Sequence, residues 1–525
     1  MIKQLKTIFG LFALLILCNG CFPQKPQLKN VLRLSCEDEP HTLDPRQARD
    51  LATATGIHLF YEGLMRAQGG EKPELALAES YEISPDQKTY TFKLRNSSWS
   101  NGEPVTAQDF EETWKSVLNP SYTAPNAYQL YVIKNAQQAK EGKVAIDQVG
   151  IRAPDEKTLV VELENPTPYF TQMLASHFYY PACKALRSHV STDPLDKKLI
   201  STNGPYLLDS WERNELVAKP SPHYWDRSSV KLDQIQFIVS DNSTAFQLYE
   251  QKELDWAGSP LAILPIDALQ SLKKEGVLHV KPSAGVHLFR VNTEKAPFTD
   301  AKMRRAFAYA LNRKDLVEHV LQGNQTPATR IVPSSVLPGP VGFKDHDLIK
   351  ARKLFKTYLQ DNNMKAEDLP TITILYPNGE RQHKIAQVVQ QQWKEAFGIE
   401  TQLQAVETKV FFSQMKSHDY QLAIGSWYAD FLDPISFLEI FKYKDNGTNN
   451  TQWENSAFIA LLNASAIANP IKRKEILLAA ENVLMRDMPV IPLFFNSYNY
   501  LKRPDVEGVY FSELGYLDFK KAAIK

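Results

Sequence analysis

The sequence predicts a mixed α/β protein with two or three domains. The chain has 525 residues, which is more than one hydrophobic core usually organises. Segments with the two-residue period of strands alternate with segments of helical period along the whole chain. Thirty-two prolines are spread over it, which favours many loops, and no internal repeat is found. No low-complexity linker marks a boundary, so we expect domains joined by short crossing segments.

Apolar spacing predicts the individual elements. Alternation predicts strands over Val31–Cys36 and over residues 90–95, 158–163, 371–376 and 421–424. Helical spacing predicts helices over Ala107–Leu118 and over residues 302–311, 385–397 and 472–485. The first of these helices has its own start signal, because Thr106 can cap it and Asp109 lies in its first turn.

The first 21 residues have the three parts of an export signal. Lys3 and Lys6 precede an apolar run over residues 8–17, and this run is too short to span a bilayer. The junction Gly20-Cys21 resembles a bacterial lipoprotein signal, which implies cleavage before Cys21 and a lipid on its thiol. Simple secretion is the alternative. A redox pair of Cys18 and Cys21 is disfavoured, because nothing folded precedes it.

Charge and cysteine usage narrow the class of protein. Lys plus Arg and Asp plus Glu number 60 each, which gives no footprint for nucleic acid and no polybasic membrane patch. No later apolar run has the length of a membrane helix. We therefore expect a protein of the periplasm or cell envelope that contacts the membrane through a lipid on Cys21 only. Cys36 and Cys183 are expected to be separate buried thiols, and a single disulfide between them is the alternative.

Signatures of catalysis are scarce. The common metalloprotease, phosphate-loop, dinucleotide and serine-hydrolase motifs are missing from the sequence. The eleven histidines lack the spacing that would place two of them on one metal. Asp430 and Asp433 form a carboxylate pair of the kind a glycosidase needs, but such spacing is common by chance. We predict no enzymatic activity, no metal and no cofactor.

Residues 94–110 combine a strand end, a turn and a helix start. Asn101-Gly102 supplies the positive φ of a tight turn, and Pro104 stiffens the exit before the helix cap. The segment on its own therefore has a structural explanation.

As a whole string, residues 94–110 resemble the signature of the family 5 bacterial extracellular solute-binding proteins, the oligopeptide-binding proteins of ABC importers. Further strings occur in the order of that family and cover nearly the whole mature chain. They are Leu43-Asp44-Pro45, Tyr61-Glu62-Gly63-Leu64, Thr202-Asn203-Gly204-Pro205-Tyr206, Ser221-Pro222-His223-Tyr224-Trp225, Pro297-Phe298-Thr299-Asp300 and Trp427-Tyr428-Ala429-Asp430-Phe431.

The resemblance implies a two-lobed periplasmic-binding-protein-like fold of the large type II class, with three domains and a cleft between the lobes. After a signal peptide over 1–20, lobe one would comprise 21–61, 190–280 and 490–525. An extra domain over 62–189 would be attached to it, and lobe two would comprise 281–489. An extended peptide would lie between the lobes, held through its backbone by strand segments.

The resemblance also implies which residues bind the ligand. Asp430 matches the family aspartate that pairs with the terminal ammonium of the peptide. Ser426 and Tyr428 match positions whose backbone pairs with the ligand, next to Trp427 in the same string. Leu51, Ala52 and Thr53 match the segment on the opposite side of the ligand. Tyr131 and His383 match positions in the pockets for its side chains.

Two positions depart from the family. Ile424 stands where oligopeptide binders carry an arginine, and Val320 stands where a lysine is expected. Both cations for a peptide carboxylate are therefore missing, and Arg49, Lys416 or Arg330 are candidates to replace them. We expect the amino end of the ligand to be recognised normally and the far end weakly or differently. A cell-wall peptide stays open as a ligand.

The sequence thus predicts a monomeric peptide receptor that delivers its ligand to the membrane permease of an ABC importer. Within the family, a dipeptide, murein-peptide, nickel or haem binder is the alternative, since fold does not fix the ligand. Asp430 favours a ligand that carries an amine. An exported hydrolase that uses Asp430 and Asp433 is the alternative from another class.

Overall fold

A computed structural model describes residues 30–48, 50–67, 72–188, 200–212, 214–340 and 342–525. The predicted signal and its Cys21 lie outside these residues, as does Arg49. Among the described residues, no helix is both long enough and apolar enough to cross a bilayer.

Eleven strands form one large mixed sheet. Ten of them lie side by side in the order Thr401–Val406, Ile372–Pro377, Leu422–Tyr428, His279–Val291, Val490–Lys502, Trp256–Gly258, Val31–Cys36, Gln234–Val239, Glu215–Pro220 and Tyr206–Glu212. The eleventh, Thr326–Pro327, pairs with Val490–Lys502. We call the five strands between residues 31 and 258 the first side of the sheet, and the three strands between residues 372 and 428 the second side.

Two long antiparallel strands, His279–Val291 and Val490–Lys502, join the two sides. Each has 13 residues. Their ladder runs from His279 to Pro282, is interrupted, and resumes from Val286. In the interruption, the Ala284 N–H donates to the Glu513 carbonyl at 2.8 Å. The two sides are therefore connected by continuous backbone that changes register in the middle of the sheet.

A separate antiparallel sheet has four strands. Their order is Ala78–Ile83, Thr89–Leu94, Thr158–Glu162 and Ile151–Asp155. Helix Ala107–Leu118 packs against the last two of them. Three short two-stranded pairs complete the β structure: Met65–Arg66 with Glu74–Leu75, Val506–Glu507 with Ala523–Ile524, and Tyr510–Phe511 with Leu517–Asp518.

Helices pack against the strands of the large sheet and form many of the connections between them. The α-helices are Leu51–Phe60, Ala107–Leu118, Ala136–Lys140, Phe170–Met173, Lys184–Arg187, Asn242–Glu250, Ile266–Lys274, Ala301–Ala310, Arg313–Asp315, Leu348–Asp361, Glu380–Phe397, Thr408–Lys416, Ile435–Leu438, Ser456–Ile467 and Pro470–Asp487, with a π-helical turn over Leu316–Leu321. Short 3₁₀ turns are Pro45–Gln47, Ala127–Leu130, Ile146–Gln148, His177–Tyr179, Arg227–Ser229, Ala366–Asp368 and Glu439–Phe441.

The structure confirms the strands and helices that the sequence predicts, with shifts at their ends. The strand Val31–Cys36 and the helix Ala107–Leu118 have the predicted bounds. The helix begins with a capping box, in which the Thr106 N–H donates to Asp109 at 2.9 Å. Gly102 has a φ of +88° in the turn before it. The strand predicted at residues 421–424 is longer, because its pairing with His279–Val291 continues to Tyr428.

The two cysteines of the described chain are separate thiols. Cys36 and Cys183 are both buried and are not joined by a disulfide, as expected. Burial raises the pKa of the Cys36 thiol to about 12, with Glu39 and Asp38 adding to the shift. Because the nucleophile is the thiolate, Cys36 is inert at neutral pH.

Candidate ligand-binding site

Ser426, Trp427 and Tyr428 form the end of a strand that is only partly paired. On one side, Leu422–Tyr428 pairs with the long strand His279–Val291 along its whole length. On the other side, its pairing with Ile372–Pro377 covers only Leu422 and Ala423. The described chain therefore leaves residues 424–428 with one open backbone edge. An open edge of this kind is what an extended peptide uses to add a strand.

The residues after the strand are fixed by Ser436. The Trp427 indole N–H donates to the Ser436 carbonyl at 2.7 Å, and the Asp430 N–H donates to the Ser436 hydroxyl at 3.0 Å. Trp427 packs against the core, whereas the side chains of Ser426 and Tyr428 are exposed. The open edge and Asp430 therefore belong to one rigid turn.

Asp430 is a partly buried carboxylate that has no cation beside it among the described residues. The Tyr128 hydroxyl donates to its Oδ1 at 3.4 Å, and the Gln129 side chain lies nearby. Burial raises the pKa of Asp430, and the Gln129 and Tyr128 side chains offset part of that shift. Burial and the charge of Asp430 raise the pKa of Tyr128 to about 12. An ammonium group placed here would remove the cost of burying the charge.

Asp430 also forms part of the wall of a pocket. The space in the pocket that water-sized groups can occupy is about 60 Å³. Its lining is mainly apolar and comes from Ala67, Pro73, Ala175, Leu432, Leu514, Tyr516 and Leu517, with His58, Arg66 and Asp518 among the polar residues. His58 is buried, and its Nδ1 lies 2.8 Å from the Tyr180 hydroxyl. The carboxylate therefore faces a space that can hold a small group such as an ammonium.

Asp433 is held in a structural ion pair. Its two carboxylate oxygens accept from the Arg473 guanidinium at 2.7 and 2.8 Å, and Asp433 is buried. The Ile435 N–H donates to the same carboxylate at 2.9 Å. Because its oxygens are already occupied, Asp433 is not free to act as the second acid of a hydrolytic pair with Asp430.

Leu51, Ala52 and Thr53, the segment expected to oppose the ligand strand, form the first turn of a helix. Asp50 caps the helix by accepting from the Thr53 N–H at 2.8 Å. The Thr53 hydroxyl also donates to Asp50 at 2.8 Å, and Thr53 is buried. Only the first N–H groups of the helix are left without an intrahelical acceptor. This segment can thus offer backbone donors, but it cannot offer a strand edge.

Tyr131 and His383 are not brought next to Asp430. Tyr131 packs against the core one turn after Tyr128, and it is Tyr128 that contacts the carboxylate. His383 is exposed on helix Glu380–Phe397, where its Nδ1 lies 2.7 Å from the Tyr376 hydroxyl. Tyr128 and Gln129 carry no motif of their own, and only the tertiary structure identifies them.

The residues expected to replace the missing cations differ in whether they are accessible to a ligand carboxylate. Ile424 is fully buried, and Val320 is packed against the core, so neither can contact a charge. Arg330 is buried in an ion pair with Glu481 and is not available. Lys416 is exposed at the end of helix Thr408–Lys416. Among the described residues, His, Cys, Asp and Glu form no group of three that could hold a metal ion.

Comparison with known proteins identifies several relatives. The Bacillus subtilis oligopeptide-binding protein OppA is 38% identical over 519 residues, which are 97% of this chain and 95% of the relative. The unliganded open form of the murein tripeptide binding protein MppA has a TM-score of 0.79 and 28% identity, over 96% of this chain and 99% of that chain. Haemophilus influenzae OppA in complex with RPPGFSPFR has a TM-score of 0.75 and 26% identity, over 95% of this chain and 100% of that chain.

The family predicted from the motifs is confirmed, and so is its multi-domain α/β binding-protein fold of type II. The model described as bacterial extracellular solute-binding proteins, family 5 Middle, matches residues 72–449. The chain therefore belongs to the family 5 bacterial extracellular solute-binding proteins.

Proposed function

We propose that this protein is the peptide-binding receptor of an ABC importer. The observation that carries the proposal is the open strand edge at residues 424–428, which ends at the partly buried carboxylate of Asp430 without a cation beside it. A peptide placed on this edge has the backbone donors and acceptors that the edge needs, and its amino end has the missing positive charge. The names of the relatives support the same ligand class.

Asp430 favours a ligand with a free amine. A haem ligand has no ammonium group, and it would leave the carboxylate of Asp430 buried and without a counter-ion. For nickel, no group of three His, Cys, Asp or Glu among the described residues could hold the ion. Dipeptides and murein peptides both carry an amine, so they remain within the proposal. We further propose that the protein has no enzymatic activity, since Asp433 is committed to Arg473.

The experiment that tests the proposal is calorimetry with trialanine in its free and N-acetylated forms. We compare the wild type with Asp430→Asn, and we use Asp445→Asn as a control because Asp445 is an exposed carboxylate of the same part of the chain. Acetylation should weaken binding to the wild type and to the control by about tenfold or more. It should change little in Asp430→Asn. Equal affinity of the wild type for both peptides refutes the pairing with the ammonium.

The predicted division of the chain belongs to the same proposal. The first lobe would contain the first side of the sheet and the second lobe its second side, with the extra domain built around the four-stranded sheet. The ligand would lie where the lobes meet, and the permease would receive it there. Size-exclusion chromatography with light scattering should report a monomer, because the open strand edge is reserved for the ligand.

We also propose that a lipid on Cys21 holds the receptor at the membrane, outside the cytoplasm. A tether raises the concentration of loaded receptor near its permease without any new contact. In a host that processes lipoproteins, a radiolabelled fatty acid should be incorporated into the wild type and not into Cys21→Ser. Equal labelling of both, or of neither, refutes the anchor and leaves peptide binding untouched.

A further inference from the structure

The unpaired backbone of residues 424–428 lies at the end of the sheet where ligands usually bind. Strands Ile372–Pro377, Thr401–Val406 and Leu422–Tyr428 are parallel, so their carboxyl ends lie together. In open α/β sheets, ligands bind outside the carboxyl ends of the strands. Helix Glu380–Phe397 begins three residues after the first of these strands, at the same edge. Its first turn is therefore a neighbour of residues 426–430.

Arg381 lies in that first turn, and a chain of contacts connects it with the open edge. Its guanidinium carbon is 5.6 Å from the centre of the Phe494 ring. The Phe494 ring stacks on His287, with 4.7 Å between their centres and 15° between their planes. The His287 Nδ1 lies 2.7 Å from the Ser426 hydroxyl oxygen. Arg381 is thus two ring contacts away from a residue whose backbone we propose to bind the peptide.

Arg381 has no counter-ion among the described residues. Its side chain is exposed, and no carboxylate lies within ion-pair distance of it. The adjacent carboxylate of Glu380 is taken by Lys384 at 2.7 Å. The charge of Arg381 acts on Tyr428, since it lowers the pKa of that phenol against the effect of burial. The guanidinium is therefore close to the open edge and available to an anion.

The other arginines near the strand are already occupied or enclosed. Arg473 binds Asp433, and Arg330 binds Glu481. Arg290 is buried on the opposite face of the strand, where its Nη1 packs against Gly425. Arg381 is thus the arginine whose position and exposure suit a bound ligand.

We propose that Arg381 binds the carboxylate at the far end of the peptide. The inference rests on the proposed function and names the residue that replaces the cations missing at Ile424 and Val320. Asp430 would then bind the ammonium and Arg381 the carboxylate, so the site is complementary to a peptide with both ends free. A guanidinium can hold a carboxylate through two parallel hydrogen bonds, which fixes the direction of the peptide as well as its length.

The test compares peptides that differ only in their carboxyl end. Calorimetry is performed with tri-, tetra- and pentaalanine, each as the free acid and as the amide. The proteins are the wild type, Arg381→Gln, Arg381→Lys and the control Lys384→Gln, which removes one positive charge from the same helix one turn away. Circular dichroism verifies that each variant is folded.

We expect the wild type and Lys384→Gln to bind the free acid about 10- to 100-fold more tightly than the amide, for at least one length of peptide. Arg381→Gln should bind both forms equally, and Arg381→Lys should retain part of the preference because it keeps the charge. The length with the largest preference measures the separation of the two charges, at about 3.4 Å per residue.

Two results would overturn the inference, and they are distinguishable. If peptides bind and Arg381→Gln keeps the full preference for the free acid, Arg381 does not bind the carboxylate, while the proposed function stands. If none of the peptides binds to the wild type, the proposed function fails and this inference fails with it.

Discussion

Tyr169 connects the small-sheet part of the chain with the turn that carries Asp430, and its removal should weaken ligand binding. The Tyr169 ring stacks on Phe431, with 5.0 Å between the ring centres and 3° between the planes. Its hydroxyl donates to Glu439 at 3.4 Å, and the guanidinium carbon of Arg473 is 5.6 Å from its ring centre. All three partners belong to the segment between residues 431 and 473. The contact therefore holds the ligand turn against the four-stranded sheet.

The magnitude follows from these contacts. A stacked aromatic pair contributes about 0.5–1.5 kcal/mol beyond the burial of its area. The cation–π contact of Arg473 adds about 0.5–1 kcal/mol. The hydroxyl contact with Glu439 is long, so it adds little. Replacing Tyr169 by Ala therefore removes about 1–2.5 kcal/mol from the bound arrangement, which corresponds to an affinity about 5- to 70-fold lower. Tyr169→Phe should keep most of the affinity, because it keeps the ring.

Stopped-flow fluorescence with trialanine measures the effect. We expect these contacts to stabilise the arrangement that encloses the ligand, so the dissociation rate of Tyr169→Ala should rise while its association rate changes little. Tyr81→Ala is the matched control, since the aromatic rings next to Tyr81, those of Tyr90 and Phe92, belong to its own sheet. A dissociation rate equal to that of the wild type, in a Tyr169→Ala protein that remains folded, would refute the reasoning.

Three further predictions concern Asp430, the Arg330–Glu481 ion pair and Gly285. Only ionised Asp430 can pair with an ammonium, and burial raises the pKa of Asp430. Calorimetry should therefore find that the peptide affinity of the wild type falls as pH decreases from 7 through this raised pKa, whereas that of Asp430→Asn does not. Without ligand, ionising this carboxyl lowers the stability of the fold as pH rises through the same pKa. Glu481→Gln should lower the free energy of unfolding by about 3–5 kcal/mol in urea, because it leaves buried Arg330 without a counter-ion; a loss below about 1 kcal/mol contradicts this. A Cβ at Gly285 would lie 2.5 Å from the Tyr428 ring. Gly285→Ala should therefore lower the free energy of unfolding by about 1–3 kcal/mol through overpacking and should weaken peptide binding. In thermal unfolding, the double variant with Tyr428→Ala should recover stability relative to Gly285→Ala.

Local signals predicted the elements that depend on neighbours in the chain. Thr106 and Asp109 form the expected capping box, because both partners lie within three residues of each other. The motif around Trp427 drew attention to Asp430, which lies two residues after the end of strand Leu422–Tyr428. Leu51, in contrast, was assigned no secondary structure from the sequence, and it begins a helix that Asp50 caps.

Residues brought together from distant parts of the chain were not predictable. Tyr128 and Asp430 are 302 positions apart, and their contact depends on the packing of the whole fold. Arg381 has no motif, and its connection to Ser426 passes through Phe494 and His287, which belong to two other strands. Sequence patterns describe which residue types are present, but contacts between distant segments decide which of them share a site.

The two long strands that run through both sides of the large sheet have a consequence for how the protein melts. Because His279–Val291 and Val490–Lys502 belong to both sides, neither side can lose its sheet while the other keeps it intact. We therefore expect one cooperative thermal transition of the large sheet instead of two. A ligand that binds at the open edge would shift that whole transition to higher temperature by mass action. The melting temperature would then report peptide occupancy and allow candidate ligands to be screened without a label.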